Sequence, residues 1–145
     1  MTVLDPIPYS DSLLRGILST VRTIAMVGAS ANPARPSFGV MQYLLGKGYR
    51  VIPVNPGLAG QDLQGQRVHG ALSDIPGPVD MVDIFRATDA VPGIVEEAIA
   101  IGAKVVWMQL GIRDDVAAAK AEAAGIDVIM NRCPAIELER LGRPG

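Results

Sequence analysis

The sequence predicts an α/β protein in which helices cover both faces of a doubly wound, mainly parallel sheet. Three observations predict this fold class. Short runs rich in Val, Ile and Met alternate with longer segments that carry apolar residues at helical spacing. The short runs are apolar at almost every residue, which is typical of strands buried on both faces. Most of the longer segments end at a glycine, a residue that favours a helix C-terminus.

The N-terminal third predicts a helix followed by a strand–helix–strand unit. Ser10 can cap a first helix that runs to about Val21, because apolar residues recur behind it at helical spacing. The first strand is Thr23–Val27, a short apolar run. A helix over Ser37–Lys47 follows and stops at a glycine, and the second strand is Arg50–Asn55, ended by a Pro-Gly turn.

The middle of the chain is less regular. Leu58–Gly70 is rich in Gly and Gln and predicts an irregular stretch, in which Val68 can form a short strand. Ser73 can cap a brief helical turn. Val79–Phe85 is the next predicted strand, and Thr88 is expected to cap a helix that runs to Ile101.

The C-terminal third continues the alternation. Lys104–Gln109 and Asp127–Met130 are predicted strands, and Asp114–Ala124 and Ala135–Leu141 are predicted helices. Apolar strands separated by helices pair in parallel, because each helix carries the chain back to the end of the sheet where the previous strand began. We therefore expect a single three-layer domain over residues 1–145, with residues 1–10 as an extended N-terminal segment.

Composition excludes several classes of function. The 145 residues are 49% hydrophobic but only 4% aromatic, so the core must consist of aliphatic side chains and Met. A net charge of −2 with so few aromatics disfavours nucleic-acid binding. No apolar stretch reaches the roughly 18 residues of a membrane span, and the N-terminus lacks a signal peptide's basic region. We therefore expect a cytoplasmic protein, with one cysteine and hence no intrachain disulfide.

The segment TIAMVGASANPARPSFG predicts an anion site. A strand, a turn at Gly28 and a helix that starts near Ser37 bring free N–H groups and the positive end of a helix dipole to one point. The loop departs from the G-x-G-x-x-G dinucleotide pattern, because Ser30 replaces the second glycine and Pro33 and Pro36 lengthen it. We expect Ser30 to donate to a phosphate of a ligand larger or more bent than NAD.

Four arginines lie in loops that follow predicted strands: Arg35, Arg86, Arg113 and Arg132. Ligands of doubly wound folds bind at the carboxyl ends of the strands, and guanidinium groups pair well with phosphates. A single loop arginine is often merely solvated, but four at one edge predict a polyanionic ligand. The second strand ends at Asn55, where an NAD site normally offers an Asp or Glu to the ribose.

Catalytic equipment is sparse. His69 lies in the irregular stretch and is expected to be structural or solvated. Cys133 follows Arg132, and a neighbouring cation can activate a thiol, although a small residue in a tight turn is the simpler interpretation. Asp80 and Asp83 could form a carboxylate pair, but we expect one to bind backbone at the strand entrance and the other a neighbouring loop. No metal-ligand pattern is present.

Four ordered segments, VGASANPARPSFGVMQYLLGKGYRVIPVNP, DIPGPVDMVDIFR, VWMQLGI and VIMNRCPAIE, resemble the stand-alone CoA-binding domain family of small bacterial proteins. The resemblance covers about Leu13 to Leu141. This family is in turn similar to the nucleotide-binding domain of the succinyl-CoA synthetase α subunit. That subunit has an Asn-Cys-Pro run in its last-strand loop, whereas here Arg132 separates Asn131 from Cys133.

The resemblance implies a Rossmann-like, nucleotide-binding domain that binds coenzyme A or an acyl-CoA without evident catalysis. It also implies a role for fourteen residues, taken from the pyrophosphate to the thiol end of the ligand. They are Gly28, Ala29 and Ser30 at the pyrophosphate, Arg35 at the phosphates, Val54, Asn55 and Pro56 beside the adenosine, Phe85, Arg86, Gln109, Leu110 and Gly111 along the pantetheine arm, and Asn131 and Cys133 at the far side.

Two other functions stay open at this point. The chain could be one subunit of an acyl-CoA ligase-type enzyme that acts with an ATP-grasp partner. Against this, the phosphorylated histidine of the synthetase belongs to a second domain that the resemblance does not reach. The chain could instead be an NAD(H)-binding redox protein, which the loop length and Asn55 disfavour. A mixed disulfide between Cys133 and the CoA thiol is a further hypothesis, and the protein partner and oligomeric state stay open.

Overall fold

A computed structural model describes residues 7–142 of the chain and confirms the predicted fold class. Within that range it contains five α-helices and seven strands. In chain order they are α1 (Asp11–Thr20), β1 (Thr23–Val27), α2 (Pro36–Gly46), β2 (Arg50–Val54), β3 (Asp62–Leu63), β4 (Gln66–Arg67), β5 (Met81–Ile84), α3 (Val91–Ala100), β6 (Val105–Met108), α4 (Asp115–Ala123), β7 (Asp127–Ile129) and α5 (Pro134–Leu141).

Five of the strands form one parallel sheet in the order β2-β1-β5-β6-β7. The chain builds outward from β1 to β2, then crosses back to place β5 on the other side of β1. The order therefore reverses between β1 and β5. In open α/β sheets such a reversal leaves a crevice at the carboxyl ends of the strands, because the crossovers leave in opposite directions.

Alternate residues of each strand enter two separate cores. On β1, Ile24 and Met26 pack under α1, α2 and α5, whereas Ala25 and Val27 pack under α3 and α4. The scarcity of aromatic residues leaves both cores mainly aliphatic, as expected from composition. Trp107 is the large exception, being fully buried on β6 with its indole N–H donating to the Arg132 carbonyl at 2.8 Å.

The stretch Leu58–Gly70 is more ordered than predicted. Strands β3 and β4 form a two-residue antiparallel hairpin, and both residues of its turn, Gln64 and Gly65, have positive φ. Such turns favour Asn-Gly pairs, so Gln-Gly gives a weak signal in the sequence. Val68 lies just beyond β4, and it is the next residue, His69, that forms a bridge to Val54.

Two predicted helix caps are wrong. Thr88 opens a 3₁₀ turn over Thr88–Ala90, and α3 begins afterwards with no side-chain cap. Ser73 lies inside a 3₁₀ turn rather than at its start. Ser10 does cap α1, since its hydroxyl accepts the N–H of Leu13 at 3.1 Å.

The segment before α1 crosses the outer edge of β7. Ile7 packs against the core under α3 and α4, whereas Tyr9 packs against the opposite core. The N–H of Met130 donates to the Tyr9 hydroxyl at 2.9 Å, and Arg132 donates to the Ile7 carbonyl at 2.6 Å. Residues 7–10 have no regular secondary structure, and the rest of the predicted extended segment, residues 1–6, lies outside the described residues. The crossing covers an edge strand that is otherwise open to pairing.

None of the helices described here has the length and apolar character that a membrane span requires.

Candidate functional site

A cavity of about 1030 Å³ opens at the carboxyl ends of the parallel strands, over the point where the strand order reverses. Loops after β1, β2, β5 and β6 line it together with the facing sides of α2 and α5. Twelve of the fourteen residues predicted for the site lie in its wall: Gly28, Ala29, Ser30, Arg35, Val54, Asn55, Pro56, Phe85, Arg86, Gln109, Leu110 and Cys133.

Gly28 makes the base of this cavity possible. Its φ is +91°, and a Cβ built on it would lie 2.5 Å from the Phe85 carbonyl oxygen. Its N–H donates to the Val54 carbonyl at 3.0 Å, while the Phe85 N–H donates to Val27 at 2.8 Å. The turn after β1 therefore lies directly against the chain leaving β5, and only glycine fits there.

Side chains within the loop after β1 hold it in one shape. The Ser30 hydroxyl accepts the Asn32 N–H at 3.0 Å, and the Asn32 side-chain oxygen accepts the Ala34 N–H at 3.0 Å. The loop leads into α2, whose cap residue Arg35 makes no side-chain hydrogen bond to the helix. Its first turn, including the buried Ser37, faces the cavity. The partial positive charge of an uncapped helix N-terminus favours an anion at this point.

Asn55 joins the loops after β2 and β1. Its amide nitrogen donates to the Ala29 carbonyl at 2.8 Å, and its amide oxygen accepts the Gly57 N–H at 2.8 Å. An ionised Asp has no proton to donate to Ala29, so this bridge requires Asn. The missing carboxylate at the end of the second strand is thus explained by the structure of the loops.

Only two of the four predicted arginines reach the cavity. Arg35 and Arg86 line it, and within residues 7–142 neither side chain has a hydrogen bond or ion pair to the protein. Arg113 instead binds Asp115 through two hydrogen bonds of 2.8 and 3.1 Å. Arg132 binds Glu137 at 3.2 Å and the Ile7 carbonyl.

The prediction of four converging arginines is therefore wrong for Arg113 and Arg132. Each has an acidic residue close along the chain, and that carboxylate holds its guanidinium away from the cavity. Cys133 lines the cavity at the start of α5.

Gln109 supplies a buried acceptor. Its side chain is only 6% exposed and lines the cavity, and its amide oxygen has no hydrogen-bond donor among the described residues. A buried carbonyl oxygen without a donor costs free energy, so such groups usually have a partner. A ligand N–H in the cavity would satisfy it.

Gly111 and Asn131 were predicted to line the site but are not among the residues that line the cavity. The Gly111 N–H donates to the side-chain oxygen of Asn131 at 2.7 Å, and the Asn131 N–H donates to Ile112 at 3.1 Å. Asn131 also has a φ of +57°, which Asn tolerates better than most residues. The pair braces the loop after β6 against the loop after β7.

Of the two roles predicted for Asp80 and Asp83, only the one at the strand entrance is found. Asp80 accepts the N–H groups of Arg22 and Thr23, both at 2.9 Å, at the entrance to the strands. Asp83 serves no neighbouring loop, since it lies in the middle of β5 and is fully buried between Met26 and Trp107 of the adjoining strands. Neither carboxyl oxygen has a partner in the described part of the chain, and burial raises the pKa of Asp83 well above its usual range.

Helix residues complete the wall, and sequence reasoning restricted to strand-end loops missed them. Tyr43 of α2 donates to Glu139 of α5 at 2.7 Å, and this hydrogen bond raises the pKa of Tyr43 to about 12. Ser37, Ala135 and Ile136 on these helices were also missed, as was Ile112 in the loop after β6. The helical periodicity of α2 and α5 was the available signal, because it marks which side of each helix faces the sheet.

His69 lies outside the cavity, and its backbone N–H donates to the Pro53 carbonyl at 3.0 Å. Among the described residues no cluster of three or more His, Cys, Asp or Glu side chains could hold a metal ion.

The cationic groups that line the cavity lie towards one end of the row of strands. Arg35, Arg86 and the α2 N-terminus lie around β1 and β5, whereas Leu110, Ile112 and Ile136 lie on the β6 and β7 side. Strands about 4.8 Å apart give five strand ends a span of roughly 19 Å. The site is thus suited to an elongated ligand with an anionic end and a less polar end.

Comparison with known proteins agrees with this geometry. The model of a family described as a CoA binding domain matches residues 22–139. The Bacillus subtilis protein YneT is 35% identical over 124 residues, which are 86% of this chain and 90% of that protein. A solved structure of a Pyrococcus horikoshii protein has a TM-score of 0.89 at 40% identity, over 97% of this chain and 99% of that one.

A larger protein matches over a shorter stretch. The α subunit of the ADP-forming acetate–CoA ligase I of Pyrococcus furiosus is 33% identical over 89 residues. These are 59% of this chain but 19% of the ligase subunit, so the similarity concerns one part of that protein.

Proposed function

This chain belongs to the CoA-binding domain family, and on that premise we propose that it binds coenzyme A in the strand-end cavity and catalyses no reaction of its own. One observation carries the proposal. The turn at Gly28, the uncapped N-terminus of α2 and the side chains of Arg35 and Arg86 all line the same cavity at the strand ends.

The chemistry of coenzyme A matches that wall part by part. Its pyrophosphate fits the Gly28–Ser30 turn, where a helix N-terminus favours negative charge. Its 3′-phosphate is a second anion for which Arg35 or Arg86 can provide paired donors. Its pantetheine arm carries amide N–H groups, and the buried oxygen of Gln109 is an acceptor that needs such a donor.

Calorimetric titration with CoA, dephospho-CoA, ADP and NADH tests this proposal. CoA should bind most tightly, and loss of the 3′-phosphate should cost roughly 1–3 kcal/mol if an arginine pairs with it. Arg35→Ala should shrink the difference between CoA and dephospho-CoA. Arg113→Ala is the matched control, because that side chain binds Asp115 outside the cavity, and it should leave the difference unchanged. Tighter binding of NADH than of CoA would refute the assignment.

The similarity to the ligase α subunit favours a second candidate, a ligase-type enzyme that needs an ATP-binding partner. A coding sequence for an ATP-grasp protein next to this one would support it. The direct assay mixes the chain with that partner, ATP, CoA and a carboxylate, and measures release of ADP. ADP release that requires both chains would replace the binding-only proposal.

A further inference from the structure

We propose, on the basis that the cavity binds coenzyme A, that its preferred ligand is a thioester of CoA with a short apolar acyl group, rather than free CoA or the CoA thioester of a dicarboxylic acid. The inference concerns four residues on the β6 and β7 side of the cavity, Leu110, Ile112, Ala135 and Ile136, which we call the apolar rim.

Two large side chains of the apolar rim are strongly exposed to solvent. Leu110 is 56% exposed and Ile136 is 52% exposed. Four large apolar side chains are strongly exposed in the described part of the chain, and these two line the same cavity, whereas Leu13 and Val116 lie outside it. Apolar side chains grouped at the mouth of a cavity are typical of a site that buries an apolar part of a ligand.

The rim lies where the acyl group would arrive. With the phosphates at the β1 turn, the pantetheine arm must run along the strand ends towards β6, past Gln109. Strand β6 is two strand spacings from β1, roughly 10 Å, and β7 is three. The sulfur is at the end of that arm, so a group attached to it reaches the loop after β6 and the start of α5, which carry Leu110 and Ile136.

The charges at this end of the cavity disfavour an acyl group that ends in a carboxylate. The arginines that line the cavity lie on the loops after β1 and β5. The basic residues nearest to the rim in sequence, Arg113 and Arg132, are bound to Asp115 and Glu137. A carboxylate carried to the rim would lose water and gain no cation, which is unfavourable. A hydrocarbon chain would lose water from both itself and the rim, which is favourable.

Titration calorimetry of the full chain with CoA and with acetyl-, butyryl-, hexanoyl- and succinyl-CoA tests the inference. Each added methylene should tighten binding about two- to fourfold, the upper value corresponding to complete burial. Butyryl- and succinyl-CoA have the same number of acyl carbons, so they isolate the effect of the terminal carboxylate. We expect butyryl-CoA to bind at least about tenfold more tightly, as a desolvated charge without a partner is costly.

Variants locate the effect. Leu110→Ser and Ile136→Ser should each flatten the dependence of affinity on acyl chain length. Val116→Ser is the matched control, because Val116 is 83% exposed on α4 outside the cavity, and it should keep the wild-type dependence.

The outcomes separate this inference from the proposed function. If CoA binds but chain length has no effect, or if succinyl-CoA binds as tightly as butyryl-CoA, the acyl preference is wrong and CoA binding stands. If neither CoA nor any thioester binds, both proposals fail. If affinity ignores chain length but Leu110→Ser and Ile136→Ser abolish a dimer seen by light scattering, the apolar rim is an interface between protein chains instead.

Discussion

At the scale of single residues, Gly28 shows how closely the backbone at the site is packed. Most glycines in the chain end a helix or form a turn, but this one lies where two strand ends meet. An added methyl group would overlap the Phe85 carbonyl, which is backbone and cannot rotate away. The cavity above it exists because the two turns can approach this closely.

Gly28→Ala should therefore lower the free energy of unfolding by about 2 kcal/mol or more, since it adds both a steric overlap and a strained positive φ. Urea unfolding followed by circular dichroism measures the change. Gly16→Ala is the control, because a Cβ at Gly16 in α1 meets nothing within 4 Å. That variant should gain about 0.5–1 kcal/mol from helix propensity. Equal effects of the two substitutions would contradict the assigned role of Gly28.

Asp83 makes stability depend on pH. Burial raises its pKa in the folded protein, so it stays protonated there while the unfolded chain ionises it above about pH 4. The unfolded state then binds fewer protons than the folded state, and stability falls as pH rises, by about 1.4 kcal/mol per pH unit until the folded pKa is reached. The stability that Asp83 contributes is fully present below the pKa of this residue in the unfolded chain. It is lost as the pH rises towards the pKa of Asp83 in the folded protein.

Asp83→Asn removes this ionisation, so the free energy of unfolding of the variant should rise relative to that of the wild type as the pH increases above about 4. Urea unfolding at three or four pH values measures the difference in the free energy of unfolding. The exposed Asp89 provides the control, and Asp89→Asn should show no such trend. A difference between wild type and Asp83→Asn that is the same at every pH would show that Asp83 ionises alike in both states.

At the scale of elements, the helix starts differ in how they are held. The hydroxyl of Ser10 caps α1, and the carboxylate of Asp114 caps α4 by accepting the Ala117 N–H at 2.9 Å. Helices α2, α3 and α5 begin with proline in the first turn and have no side-chain cap. Proline at this position needs no acceptor for its nitrogen, which reduces the need for a cap.

Ser10→Ala should lower the free energy of unfolding by about 1 kcal/mol through loss of the cap. Ser12→Ala is the control, since Ser12 is exposed two residues further into the same helix. Thermal and urea unfolding of the two variants measure the contrast. A loss for Ser12→Ala as large as that for Ser10→Ala would mean that the hydroxyl of Ser10 does not stabilise the helix start.

At the scale of the whole molecule, the strand order decides the shape of the site. Because β5 returns to the far side of β1, the turns after β1 and β5 are adjacent, and Gly28, the N-terminus of α2 and Arg86 all line the same cavity at the strand ends. Strands β6 and β7 come later in the chain and lengthen the row of strand ends on the β5 side only. A ligand held at the centre can therefore extend towards Leu110 and Ile136, which lie 26 residues apart in the chain.

Residue patterns along the chain predicted the fold class, the five strands of the main sheet to within two residues at either end, and the turn at Gly28. These follow from local physics, since buried strands need continuous apolar residues and helix ends need caps or glycine. The resemblance to the CoA-binding family indicated twelve residues that line the cavity, in agreement with the rule that ligands bind at the carboxyl ends of parallel strands.

The three-dimensional arrangement of the chain decides which polar groups face the cavity. Arg35 and Arg86 do so, whereas Arg113 and Arg132 are bound by acidic residues, and Gly111 and Asn131 are joined to each other by a hydrogen bond. The burial of Asp83 and the apolar rim likewise arise from segments that are distant in sequence. A side chain's partner depends on which segments folding brings within a few ångströms, and periodicity along the chain carries no such distance.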